Sequence, residues 1–114
     1  MSYKTEIKVE GSGPCIEHLL DVIGYQAGSV VSKQLIKKET GSITLFAFAE
    51  GEGLSEHTAP YDAFVYVLDG ETEISISKNP FILKKGDMII MPANKPHALK
   101  ALTKFKMLLV MIRS

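Results

Sequence analysis

The chain has 114 residues, which is enough for one domain with a substantial core and too short for two. Its 13 basic and 13 acidic residues cancel, and neither sign forms a run longer than two residues, so nucleic acid and anionic membrane are not expected partners. The longest apolar run, 107–112, has six residues against the roughly twenty that a membrane-spanning helix needs.

The single cysteine bears on cellular location. Cys15 has no second cysteine with which to form an intramolecular disulfide, and the first residues lack the apolar run of a signal peptide. We therefore expect a cytoplasmic protein. Cys15 itself is predicted to be a small buried side chain.

Residues 1–28 are predicted to form a segment in front of the main domain. At its start, uncharged side chains alternate with Lys and Glu, which predicts a strand with one wet face at a sheet edge or swapped between chains: Tyr3, Thr5, Ile7 and Val9. After Ser12 and Pro14, four apolar residues follow at helical spacing: Ile16, Leu19, Leu20 and Ile23. They predict one or two helical turns that end at Gly24, with His18 off the apolar stripe and solvated.

From Gly28 onward the helical period disappears, and short β-branched or aromatic runs alternate with turn residues. This pattern is typical of an antiparallel barrel or sandwich, so residues 29–114 are predicted to form one all-β domain. The predicted strands lie near 29–37, 42–50, 55–59, 61–69, 71–77, 80–84, 87–91, 97–102 and 104–112.

Several of these strands are apolar on both faces, notably 42–50, 61–69 and 104–112. A barrel wall with one wet face should alternate apolar and polar side chains, so a monomer would expose much apolar surface. The sequence therefore predicts a homodimer that packs sheet against sheet.

Residues 51–70 carry a motif. Gly51, His57 and Gly70 fall on the pattern glycine, five residues, His-x-His, three or four residues, Glu, six residues, glycine. This resembles the first motif of the cupin superfamily. Two positions depart from it, because Ala59 and Ala63 stand where the family has its second histidine and its glutamate.

A second motif follows at 86–101. Gly86, Pro92 and His97 match the spacing of the second cupin motif, which reads glycine, five residues, Pro-x-Gly, two residues, His, three residues, Asn. Asn94 replaces the second glycine and can serve the same turn, because Asn tolerates positive φ. Ala101 replaces the final asparagine.

The resemblance implies a single-domain, RmlC-like jelly-roll β-barrel, preceded here by the short helical segment. It also implies that His57 and His97 meet near the barrel mouth, where the full motif holds a divalent metal such as Zn, Fe, Ni or Mn by three histidines and a glutamate. This chain supplies two of those four ligands. Either the pair holds no metal tightly, or it holds one weakly that water or a small anion completes.

Strand alternation places Ala59, Tyr61 and Ala63 on the same face as His57. Two alanines make the pocket roomier and more apolar, and Tyr61 either offers its hydroxyl to a ligand or bonds a backbone carbonyl. Asp62 points away unless a bulge near Pro60 reverses it. Glu56 points away as well.

Three functions follow from these residues. The leading hypothesis is a small-molecule-binding protein whose ligand contacts His57, His97, Tyr61, Ala59 and Ala63. The alternative, implied by the resemblance, is a metal-dependent dioxygenase, isomerase or decarboxylase with His57 and His97 as ligands. A third is a structural dimer module. Aromatic and Met side chains elsewhere are predicted to be core or dimer surface: Phe46, Phe48, Phe105, Met107 and Met111.

Overall fold

The structure, a computed structural model, describes residues 5–8 and 14–113. Its one short helix is α1 (Leu19–Val22), and its strands are β1 (Thr5–Lys8), β2 (Val30–Lys38), β3 (Gly41–Phe48), β4 (Gly53–His57), β5 (Tyr61–Asp69), β6 (Glu71–Ile76), β7 (Asn79–Lys84), β8 (Met88–Met91), β9 (His97–Ala101) and β10 (Phe105–Arg113). All nine strands predicted between 29 and 112 are present, which confirms the all-β prediction.

The strands form two sheets. The larger has the order β1-β2-β3-β10-β5-β8 and the smaller the order β4-β9-β6-β7. Every pairing is antiparallel except that of β1 with β2. Because β1 lies at the end of the larger sheet, its prediction as an edge strand is confirmed. Tyr3 and Val9, which were part of that prediction, lie outside the described residues.

The main core lies between the sheets. Phe48 of β3 and Phe105 of β10 are fully buried and stack with their ring centroids 4.6 Å apart. Val65 and Val67 of β5 face Ile74 of β6 from the opposite sheet, and all three are fully buried. Each such side chain contributes about 1.5–3 kcal/mol when removed from water. These contacts fill one end of the space between the sheets.

Two motif positions set sharp turns. Gly70 has φ +78°, and a Cβ there would collide with the Lys104 carbonyl and with Phe105, so no other residue fits between β5 and β6. Asn94 has φ +63°, which confirms that it serves the turn that glycine serves in the family motif. Its backbone N–H donates to the Ala59 carbonyl at 2.8 Å. The β8–β9 connection is thereby fixed to the residues that follow His57.

The N-terminal segment covers part of the outer face of the larger sheet. Ile23 is buried against Val31, Leu45 and Ala47, with Leu19 packed beside them. The Tyr25 hydroxyl donates to the Asp69 carboxylate at 2.6 Å. The ammonium groups of Lys104 and Lys106 each lie 5.0 Å from the Tyr25 ring centroid, and Lys106 also donates to the Leu20 carbonyl. This segment therefore closes one end of the outer face.

The rest of the outer face carries an apolar row across five strands. Strand register aligns Ile36 of β2 with Ile43 of β3, Ile43 with Val110 of β10, Val110 with Phe64 of β5, and Phe64 with Ile90 of β8. We call these five residues the outer apolar row. Ile36 and Ile90 are exposed, and the other three are half-buried.

Two predictions for the N-terminal segment were wrong. Cys15 is exposed rather than buried, and Ile16 is 99% exposed although it continues the helical spacing. The helix begins only at Leu19, so Cys15 and Ile16 lie before it on chain that packs against no core. No side chain caps the helix, since its N-cap is His18, which is exposed as predicted.

Candidate functional site

Two histidines meet because of how β4 and β9 pair. His57 is the last residue of β4 and His97 the first of β9, and the two are register partners in this antiparallel pair. Their rings lie edge to face with centroids 4.3 Å apart and planes at 66°. The Nε2 atoms approach to 3.1 Å. The pair lies at the open end of the space between the sheets, where His57 is exposed and His97 half-buried.

The three polar contacts of this histidine pair need more hydrogens than two neutral imidazole rings carry. His57 Nδ1 lies 2.7 Å from the Ser55 carbonyl, and His97 Nδ1 lies 3.2 Å from the Lys95 carbonyl. A carbonyl only accepts, so each Nδ1 must carry a hydrogen to bond it. The contact between the two Nε2 atoms needs a third hydrogen. Two neutral imidazoles hold only two hydrogens in all.

Burial opposes the uptake of that third proton. It is the main cause that lowers the pKa of His97 below its ordinary value. The Lys95 carbonyl raises the pKa in part, and the neighbouring His57 lowers it further. The lowered pKa favours the neutral form of His97 near neutral pH. With its Nδ1–H on the Lys95 carbonyl, the His97 Nε2 then has a lone pair that can accept a donor or bind a cation.

A cavity of about 330 Å³ opens beside the pair, between the two sheets. It has no Asp, Glu, Lys or Arg side chain in its lining, which consists of Ser32, Gln34, Ser42, Thr44, Phe46, Leu54, His57, Ala59, Tyr61, Ala63, Met91, His97, Leu99, Met107, Leu109 and Met111. Its size and mainly apolar wall are typical of small-molecule pockets.

All five residues predicted for the site line this one cavity. Ala59 and Ala63 lie on its wall beside His57, so the two positions that hold metal ligands in the full motif here contribute only methyl groups. Tyr61 is half-buried, and its hydroxyl bonds no described residue. It therefore does not make the backbone hydrogen bond that was one of its two predicted roles.

The nearby carboxylates are used elsewhere. Asp62 accepts a hydrogen bond from the Ala93 backbone N–H at 2.9 Å, and Glu56 pairs with Lys78 at 3.3 Å. Neither lines the cavity. No bulge near Pro60 turns Asp62 inward, and among residues 5–8 and 14–113 no group of three or more His, Cys, Asp or Glu side chains could hold a metal ion.

The residues present fit a metal only in part. Two imidazole nitrogens bound tetrahedrally to one zinc at about 2.0–2.1 Å are separated by about 3.3–3.4 Å, and the observed 3.1 Å lies close to that distance. Catalytic metal sites usually supply three protein ligands, however, and this chain offers two. His57 and His97 are the residues that would hold a divalent cation, and they would hold it weakly.

Sequence reasoning missed part of the lining. Phe46, Phe48, Phe105 and Met107 belong to the buried core as predicted, and Met111 packs against it; that Phe46, Met107 and Met111 also line the cavity was not predicted. Four polar residues were missed as well: Ser32, Gln34, Ser42 and Thr44. Their two-residue spacing was visible in the sequence, but spacing alone does not tell which face of a strand points inward.

No helix among the described residues is long and apolar enough to cross a membrane.

Comparisons with known proteins identify the domain. A family model described as "Cupin domain" matches residues 44–113. A conserved protein of unknown function from Streptococcus pyogenes is 32% identical, with a TM-score of 0.87 over 100% of this chain and 96% of the other. A cupin 2 conserved barrel domain protein from Leptotrichia buccalis is 44% identical over 82% of this chain but 46% of its own, with a TM-score of 0.80.

A third similar structure is an enzyme. Salicylate 1,2-dioxygenase from Pseudoaminobacter salicylatoxidans is 17% identical, with a TM-score of 0.69 over 75% of this chain and 27% of the other. At that identity the likeness concerns the fold alone. A comparison with curated proteins finds no match.

Proposed function

The chain belongs to the cupin family, and within that family we propose that it binds a small molecule in the cavity between its sheets. His57 and His97 orient a polar group of that ligand, while Ala59, Ala63 and Tyr61 form part of the surrounding wall. This role requires no metal-coordinating residue beyond the two histidines.

The observation that carries the proposal is the shortage of hydrogen in the histidine pair. Three contacts each need a hydrogen, and two neutral rings supply two. A ligand hydroxyl or N–H that donates to an Nε2 atom gives the lone pair of that atom the donor that the other ring cannot supply. Because no other ionisable group lines the cavity apart from Tyr61, the remaining contacts of the ligand are apolar or uncharged.

A metal-dependent enzyme is the second candidate, and the Nε2 separation of 3.1 Å favours it. A bound divalent cation would act as a Lewis acid on a substrate oxygen. The absence of a carboxylate or a third imidazole from the lining counts against tight binding. We therefore rank this function below ligand binding without a permanent metal.

The same proposal includes a homodimer formed through the outer apolar row. The described part of the N-terminal segment packs at one end of that face, around Leu45, and Ile36 and Ile90 of the row are 48% and 50% exposed. An apolar surface that crosses five strands is typical of a protein interface. A second copy of the chain offers the same flat apolar surface, which is the requirement for a two-fold symmetric contact.

The function can be tested by thermal-shift screening of a small-molecule panel on protein purified without a histidine tag. A compound that raises the Tm should bind at least about tenfold more weakly to His97→Leu, which removes one hydrogen-bonding ring. It should also bind more weakly to Ala59→Leu, which fills the cavity. Ala98→Leu is the matched control, because Ala98 follows His97 on β9 and does not line the cavity.

Elemental analysis of the same preparation separates the two candidate functions. We expect metal below one equivalent, lost on dialysis against a chelator. Full occupancy that survives the chelator would favour the enzyme. If no compound shifted the Tm and no metal bound, the chain would instead be a structural dimer module.

A further inference from the structure

One wall of the cavity is polar and lies across from the histidines. Ser32 and Gln34 are two residues apart on β2, and Ser42 and Thr44 are two apart on β3, so each pair shares a strand face. Register places Gln34 beside Thr44. All four line the cavity, and we call them the polar wall. The wall belongs to the larger sheet, whereas His57 and His97 belong to the smaller one.

The hydroxyl-bearing residues of this wall are buried, yet no described protein group bonds their hydroxyls. Ser32 is 2% exposed, and Ser42 and Thr44 are each 9% exposed. None of the three side chains hydrogen-bonds to a described residue. Every fully enclosed polar side-chain atom of the described residues does have a partner, so these hydroxyls must be reached from the cavity. Water or a ligand in the cavity can therefore bond them.

The other buried polar side chains show that this pattern is confined to the cavity. Thr72 donates to the Lys100 carbonyl at 2.8 Å, and Ser29 donates to the Ala27 carbonyl at 3.2 Å. Lys106 donates to the Leu20 carbonyl. Among the described residues, buried polar side chains away from the cavity bond other protein groups, and those that bond no described residue lie together on one wall of the cavity.

The chemistry of the wall defines what it can bind. Hydroxyl and carboxamide groups both donate and accept, and none of them is charged. Apolar side chains, including Met107, Leu109 and Leu99, make up most of the lining between the wall and the histidines. A matching ligand has an apolar body with an uncharged polar group at each end.

We infer that Ser32, Gln34, Ser42 and Thr44 form a second recognition subsite, which binds a hydroxyl or carbonyl oxygen at the end of the ligand distant from His57 and His97. This inference rests on the proposed function, because it assigns a specificity to the same cavity. The selectivity of the protein for ligands with two polar ends comes from this wall, and the histidine pair binds the other end.

The test uses two probes that differ by one hydroxyl, 1-hexanol and 1,6-hexanediol, and follows them by the ¹³C-methyl NMR signals of methionine. Met91, Met107 and Met111 line the cavity, whereas Met88 is exposed on β8 and reports non-specific contact. In a purely apolar cavity the diol would bind about tenfold more weakly than the alcohol or worse, because its second hydroxyl would lose its water. The wild-type protein should bind the diol at least as tightly as the alcohol.

Two variants remove the wall without changing its shape much: the double variant Ser42→Ala with Thr44→Val, and Gln34→Leu. Each should shift the affinity ratio toward the alcohol, the double variant by about tenfold or more. Ser75→Ala is the matched control, since Ser75 does not line the cavity, and it should leave the ratio unchanged. The Tm of the double variant should equal or exceed that of the wild type, because the two hydroxyls that it removes make no hydrogen bond to a described residue. A purely structural role for the hydroxyls predicts a lower Tm.

The outcomes distinguish a failure of the second subsite from a failure of the proposed function. If the alcohol shifts Met91, Met107 and Met111 while the wild type and both variants share one ratio, the second subsite is wrong and the binding cavity stands. If neither probe shifts these three signals, both the subsite and the proposed function are overturned. If one variant fails to fold, the other decides the question alone.

Discussion

The two faces of the larger sheet differ in a way that reverses the usual arrangement. The inner face of β2 and β3 carries the polar wall around the cavity. The outer face of the same strands carries Ile36 and Ile43, the start of the outer apolar row. In an antiparallel sheet with one face in solvent, the polar side chains face water and the apolar ones face the core. The proposed ligand site would use the polar inner face, and the proposed dimer would use the apolar outer face.

The largest expected effect comes from adding ligands to the inner face. The double variant Ala59→His with Ala63→Glu restores the family motif beside His57 and His97, since both alanines lie on the cavity wall. It should bind a divalent transition metal in near-stoichiometric amount, as measured by elemental analysis. Metal at a hundred times its Kd should stabilise the fold by about 2.7 kcal/mol, because it binds the native state alone.

His97→Ala in that background should reverse much of the gain in affinity. A double variant that folded normally but bound no more metal than the parent would show that residues 59 and 63 do not converge with the histidines.

On the outer face, a single introduced charge should weaken the proposed dimer. Ile90 is 50% exposed in the outer apolar row, and Ile90→Lys would place an unpaired ammonium in the proposed interface. The dissociation constant should rise by at least about thirtyfold, which corresponds to an interface hot spot. Light scattering at micromolar concentration measures the change of mass.

Ile82→Lys is the matched control, because Ile82 is 54% exposed on β7 of the smaller sheet. It should leave the dimer intact. A wild-type protein that was monomeric at micromolar concentration would refute the proposed interface outright.

The covered end of the outer face should respond more modestly. Tyr25→Phe removes the hydrogen bond to Asp69 and keeps the ring between Lys104 and Lys106. Because the bond is only partly buried, we expect a loss of about 1 kcal/mol in the free energy of unfolding, measured in urea. Tyr66→Phe is the control, since the Tyr66 hydroxyl bonds no described residue. An equal loss in both variants would mean that the Asp69 bond does not hold the N-terminal segment in place.

The smallest effect concerns pH and the inner face. Burial lowers the pKa of His97 in the folded state, so the folded protein binds a proton there less readily than the unfolded chain does. The stability contributed by neutral His97 is therefore fully present above about pH 6.5, its unfolded pKa, and is lost as pH falls through the lower folded pKa. The difference in Tm between the wild type and His97→Asn should therefore be smallest at low pH. His18→Asn controls for the removal of an exposed imidazole.

Much of this architecture could be predicted from the sequence, because it depends on local chemistry. Alternating side chains and turn residues located the strands, and the positive φ at Asn94 followed from its place in the motif. The approach of His57 to His97 followed from the family resemblance. The helical spacing at Ile16 gave a wrong prediction that Ile16 belongs to the helix, because a short helix forms only where tertiary packing supports it.

The inside of the cavity could not be predicted in the same way. Ser42 and Thr44 alternate with Ile43 and Leu45, and this pattern is equally typical of a strand whose polar face is wet. Met107 was predicted as core and is buried in it, but its sequence pattern does not show that it also lines the cavity, because a cavity lining and a packed core require the same apolar residues. Only the arrangement of the two sheets determines which face of each strand encloses the cavity.

The contrast between the two faces can be measured in a single experiment on the ¹³C-methyl methionine signals. Met88 lies on the outer face, where its strand position pairs with Tyr66, and Met91, Met107 and Met111 line the cavity. We predict that dilution across the dimer dissociation range moves the Met88 signal and none of the three cavity signals, and that 1,6-hexanediol moves those three and leaves Met88 in place. A diol that shifted Met88 but none of the three cavity signals would contradict the assignment of ligand binding to the inside and self-association to the outside.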